Sequence, residues 1–64
     1  MTLYSVRFVR ADGMPDEVYY YNRQPDAVKH FDLFKSDDSG LYHHIDLVLE
    51  DNGTEKTLDT IHFN

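Results

Sequence analysis

Between Pro25 and Gly40 lies the one stretch of this chain with helical periodicity, and a pair of strand-like segments stands on either side of it. That arrangement limits the fold more than any other feature. A helix of about twelve residues spans roughly 18 Å. It covers one side of a four-stranded sheet and no more. The other side must meet water or a partner.

Turn chemistry sets the limits of each segment. Leu3 to Arg10 alternates, with Tyr4, Val6 and Phe8 on one face and Ser5 and Arg7 on the other, as a half-buried strand requires. Asp12-Gly13 followed by Pro15 reads as a hairpin turn. Glu17 to Asn22 contains Val18, Tyr19, Tyr20 and Tyr21, residue types that favour sheets. Pro25 suits the first position of a helix, where its missing N–H leaves nothing unpaired. Asp26 then sits at the positive end of the helix dipole. Ala27, Phe31 and Phe34 recur at i, i+4 and i+7 with Val28 beside them, forming one apolar stripe. Lys29 and Asp32 fall on the far side, and Leu33 lies off the stripe. Lys35 complements the dipole at the helix end, before Ser36-Asp37-Asp38-Ser39-Gly40 stops it.

The second pair of strands follows. In Leu41 to Glu50, the residues Leu41, Ile45, Leu47 and Leu49 share a face, with His43 among them. Asn52-Gly53 is the strongest tight-turn signal in the chain. Glu55 to Phe63 places Leu58 and Ile61 three apart, which a regular strand would put on opposite faces. A bulge near Asp59-Thr60 resolves the conflict. The expected fold is α+β, a ββαββ chain with a four-stranded antiparallel sheet and one helix packed on one face. The expected core is Val6, Phe8, Ala27, Phe31, Phe34, Ile45 and Leu47.

A chain of 64 residues makes a single small domain close to the lower limit of self-sufficient cores. Cysteine is absent, so neither a disulfide nor a thiolate zinc site helps. The four Phe and five Tyr must do much of the packing. No apolar run has the length of a membrane span, and Met1-Thr2-Leu3-Tyr4-Ser5 does not resemble a secretory signal. A cytoplasmic protein is expected. Twelve acidic residues against six basic ones give a net charge of −6. Direct nucleic-acid binding needs a basic footprint, so none is expected. The acidic balance fits solubility, a basic partner or imitation of a polyanion.

Candidate chemistry is sparse. His43 and His44 are adjacent on a strand and should point to opposite faces, with His62 on the neighbouring strand. Together with Asp46 or Asp59 they lack the ligand spacing of a structural zinc site, and no metal or other cofactor is expected. Ser5, Ser36 and Ser39 have no nucleophile elbow. The pairs Asp37-Asp38 and Glu50-Asp51 sit at turns, where solvent keeps carboxylates ordinary. No catalytic residue is therefore assigned. The tyrosines are more informative. Tyr19, Tyr20 and Tyr21 are consecutive, so both faces of the sheet receive one, and the parity of Tyr42 assigns it to the open face. Tyrosine is enriched at protein interfaces. The interaction candidates are Tyr19, Tyr20, Tyr21 and Tyr42, with Asp37, Asp38 and Glu50 as an acidic complement to a basic rim.

The run Ala27-Val28-Lys29-His30-Phe31-Asp32-Leu33-Phe34, followed by Asp38-Ser39-Gly40-Leu41-Tyr42-His43-His44-Ile45-Asp46-Leu47-Val48, resembles short uncharacterised proteins carried by conjugative transposons and prophages of Clostridia-like bacteria. The likeness covers about the second half of the chain and rests on packing positions and a turn. It brings no activity and no site residues, only the context of a mobile genetic element. The expected function is a small acidic non-enzymatic interaction module, with a protein partner or self-association as a homodimer, and no membrane contact. The alternative is an acidic mimic of nucleic acid that inhibits a host enzyme, as anti-CRISPR proteins do.

Overall fold

A computed structural model describes residues 1–63. Strand β1 spans Thr2–Arg10, β2 Glu17–Tyr21, helix α1 Gln24–Leu33, β3 Tyr42–Asp51 and β4 Thr54–His62. The four strands form one sheet in the order β2-β1-β3-β4, antiparallel at every pairing. Both β2 and β3 run against β1, so they are parallel to each other across it. Their connection must therefore cross over the sheet, and α1 makes that crossing. The fold is the α+β ββαββ arrangement expected from the pattern.

The local reasons are visible at each boundary. Pro25 sits in the first helical turn and Asp26 beside it. Arg23 enters in extended conformation (φ −126°, ψ 136°). The helix ends one residue before the last position of the apolar stripe, because Phe34 leaves helical geometry (φ −103°, ψ 5°). Its N–H, and that of Lys35, then close tighter turns onto Phe31 and Asp32. Asn52 and Gly53 both take positive φ, 52° and 82°, the conformation of a two-residue hairpin whose twist matches its strands. The β1–β2 connection is longer than a tight hairpin, and a charge cluster pins it. The Arg10 guanidinium grips Asp12 at 2.7 and 3.3 Å and donates to Glu17 at 3.2 Å. Asp12 also accepts the Met14 N–H at 3.1 Å. The bond from Arg10, and then the one from Met14, hold the Asp12 carboxyl down at about 2.

The core lies between α1 and the inner residues of β1 and β3. Val6, Phe8, Ala27, Phe31, Ile45 and Leu47 are buried together. Phe34, expected among them, is only partly buried because it sits past the helix end, where it packs on the rim with Tyr4, Tyr21, Val28, Tyr42, Ile61 and Phe63. The bulge expected in the last strand is present one residue earlier: Leu47 pairs with Asp59 and Val48 with Thr57, leaving Leu58 as the extra residue. That insertion returns Ile61 to the side of Ile45 and the core.

A second bulge changes two expectations. Val9 pairs with His44 but Arg10 with Tyr42, so His43 is the unpaired residue. The extra residue reverses the parity of everything before it. Tyr42 therefore does not join the open face. It lies under the helix side, 5.1 Å from the Phe8 ring and 6.1 Å from Phe34. The same bulge turns the His43 and His44 rings together instead of onto opposite faces, with their Nδ1 atoms 2.7 Å apart.

Phe31 is 1% exposed at the centre of the helix stripe. Its truncation to Ala should cost about 3–5 kcal/mol, a large part of the stability of so small a domain. Thermal unfolding should show Phe31→Ala without a cooperative transition near room temperature. A variant that melts like the parent would show that the helix does not carry the core.

Candidate interaction surface

The three consecutive tyrosines lie on β2, an edge strand of the sheet. Tyr19 and Tyr21 pair with Val6 and Tyr4 and so face the helix side, whereas Tyr20 pairs with Ser5 on the other side. Because β2 is the edge, α1 covers the helix-side pair incompletely. Tyr19 remains 44% exposed and Tyr20 is 61% exposed. Tyr19 stands edge-on to Phe8 at 5.6 Å and to His30 at 5.1 Å. Its hydroxyl donates to Glu17 at 3.3 Å. The charge of Glu17, and then this hydrogen bond, push the Tyr19 phenol upward in pKa.

The flank of α1 next to β2 supplies the second wall. Asp26, Lys29, His30 and Leu33 follow one another at helical spacing and, with Tyr21, line a shallow groove of about 430 Å³. Leu33, the residue that lay off the apolar stripe, is 72% exposed at its lip. At its floor the Tyr21 hydroxyl and the His30 Nδ1 are 2.6 Å apart. With His30 neutral, the phenol donates to the ring nitrogen. This bond ties β2 to α1. Neither His30 nor Leu33 was marked as a candidate by the sequence pattern. The usable signal was Leu33, an apolar residue with no place in the core stripe.

The other candidates do not join this surface. Tyr42 belongs to the aromatic packing under the helix, with the Arg10 guanidinium 5.9 Å from its ring centre. Asp37 and Asp38 lie beyond the helix, near Phe63 and Gly40. There the Asp37 carboxylate accepts the Ser39 hydroxyl at 2.6 Å and shapes the loop. Glu50 lies near the far end of β3, paired with Glu55. The length of β3 separates it from the Asp37-Asp38 loop by roughly 30 Å. The acidic candidates thus form no single patch.

The face away from the helix is also less aromatic than expected. Tyr20 is its one tyrosine among the described residues. Arg7 reaches from β1 across β3 to Glu55 on β4, 3.5 Å away, and Val48 beneath this diagonal is only 2% exposed. At one end, His44 pairs with His62, their ring centres 5.8 Å apart. The His44 Nε2 lies 3.6 Å from Asp46, which accepts the Thr60 hydroxyl at 2.8 Å. Among the described residues, no group of three or more His, Cys, Asp or Glu side chains is arranged to hold a metal ion. Nor, among them, is any helix long and apolar enough to cross a membrane.

No protein-family model, curated protein or solved structure matches the chain.

Burial pushes the His30 imidazole below its ordinary pKa. The unfolded chain then binds more protons than the folded one as the pH falls through the window below about 6.5. His30 therefore contributes stability that is fully present above that value and is lost as the pH falls through its folded pKa. His30→Gln, which keeps an acceptor for Tyr21, should flatten the fall in stability between about pH 7 and pH 5. Urea unfolding of both proteins across this range checks it. An unchanged slope would contradict the assignment.

Proposed function

We propose that this chain is a small non-enzymatic interaction module that docks a protein through the aromatic margin formed by β2 and the adjoining flank of α1. One observation carries the reading: Tyr19 and Tyr20 are exposed on the two faces of an edge strand, and on the helix side a groove with Leu33 exposed at its lip adjoins it. With Tyr19 on the helix side and Tyr20 on the other, apolar area for which water is a poor partner is exposed on both faces of this edge, and exposed apolar area of this kind marks contact surfaces. A phenol adds a polar tip that hydrogen-bonds across an interface.

The acidic residues play a lesser part. Several are neutralised within the fold, Asp12 and Glu17 by Arg10, and Glu55 by Arg7. The rest are spread over the β1–β2 connection, the helix and the loop after it, β3 and β4. That distribution favours docking through aromatic contacts over imitation of a nucleic-acid backbone. An origin on a mobile genetic element and a cytoplasmic setting belong to the same proposal and rest on the sequence alone.

Tyr20 projects away from the core, so its replacement separates binding from folding. Tyr20→Ser should change stability by less than about 1 kcal/mol. A pull-down from the native host should lose its partner with this variant. Raising the salt should not weaken capture, as docking through apolar area is little screened. Capture that survives Tyr20→Ser and collapses with salt would favour the acidic surface instead.

A further inference from the structure

The sheet has two edges, and they are built differently. An exposed edge strand offers unpaired N–H and C=O groups to any passing strand. Strand β4 is protected against this. It carries Glu55, Lys56 and Asp59 and is broken by the bulge at Leu58. Strand β2 has none of these devices between Val18 and Tyr21. It is unbroken in its pairing with β1, and its sole charge, Glu17, is held at its start by Arg10. Its protection is its length alone, five residues.

We propose that β2 pairs antiparallel with β2 of a second copy of this chain, about a two-fold axis at Tyr19. The inference rests on the aromatic margin as a docking surface and names its occupant. The sequence of β2 is self-complementary in this register. Tyr19 meets Tyr19 of the other copy, Val18 meets Tyr20, and Glu17 meets Tyr21. No like charges oppose each other. The Val18–Tyr20 pairs combine a β-branched with an aromatic side chain, a favourable cross-strand combination. Any other register leaves part of the five residues unpaired. A shift that makes side chains of opposite parity meet would also set the two helices on opposite sides. In the proposed register all residues pair, and both helices lie on one side of an eight-stranded sheet. Two-fold pairing of this kind closes on itself and does not propagate.

The interface is small. The exposed parts of Tyr19, Tyr20 and Leu33 amount to about 400 Å² per copy on the scale of whole aromatic side chains. That is about half of what a standard interface buries per partner. Hydrogen bonds along the edge add to this, and the dimer is a weak one, populated only at high protein concentration. Each copy carries a net charge of −6, so the two repel at long range. Salt screens that repulsion, and dimerisation should strengthen as ionic strength rises.

Sedimentation equilibrium up to about 1 mM at low and moderate salt tests the proposal. The parent should reach a monomer–dimer equilibrium that salt strengthens. Tyr20→Lys and Val18→Glu should each remain folded by circular dichroism and weaken dimerisation at least tenfold. Mixed together they should form a heterodimer, because Lys at 20 then faces Glu at 18 of the other copy. Thr57→Lys, on the protected edge, should dimerise as the parent does. A parent that stays monomeric throughout overturns the proposal, as does a dimer lost in Thr57→Lys or not restored by mixing. If the monomeric parent still captures a host protein in a Tyr20-dependent manner, the second copy is wrong and the docking surface stands. If capture is also independent of Tyr20, both fail.

Discussion

The Phe8 ring is the point on which the rest of the structure depends. It is 1% exposed, and every layer of the fold meets it. Tyr19 reaches it from β2, His30 from α1, Phe34 from just past the helix end, and Tyr42 from β3, all with ring centres 4.8 to 5.6 Å away. Most of these contacts are edge-on or tilted, the geometry in which the ring quadrupoles attract. A domain of this size without disulfides has little else to fix its layers to one another. The aromatic cluster fixes them, and the buried aliphatics Val6, Ile45 and Leu47 fill the space behind it.

The same cluster explains where the surface is open. The helix is short, and it sits over β1, β3 and β2. At β2 the cover runs out, so the outer part of Tyr19 and all of the helix flank around Leu33 face solvent. Packing and exposure are thus two ends of one aromatic array: Phe8 at the buried end and Tyr19 at the margin. The opposite face needs no such cover, because Arg7 and Glu55 lay a polar diagonal over Val48. The exposed margin at β2 follows from how far one helix can reach.

Much of this was legible in the residues. Alternation defined β1, the i, i+4, i+7 stripe defined α1, and Asn52-Gly53 defined the last hairpin. Six of the seven expected core residues are buried together. What could not be read was anything that depends on pairing between distant strands. Parity along a strand predicts faces only while no residue is inserted, and the insertion at His43 is set by how β3 meets β1. It moved Tyr42 under the helix and brought His43 against His44. The Leu58 bulge was legible, within a residue or two, because the apolar spacing of Leu58 and Ile61 violated the period. His43 left no such mark, since a polar residue on either face breaks no pattern. The groove beside α1 was hidden for a related reason: its floor is a bond between Tyr21 and His30, and nothing local predicts which tyrosine of three meets the helix.

The central claim is that the unprotected edge at β2, and not the one at β4, is where this molecule makes contact. Amide hydrogen exchange measured at protein concentrations below and above the dissociation constant tests it residue by residue. The account predicts that amides on the outer edge of Glu17–Tyr21 gain protection as concentration rises, while those of Thr54–His62 exchange at the same rate throughout. Protection that grows along β4, or that is independent of concentration at β2, would contradict it.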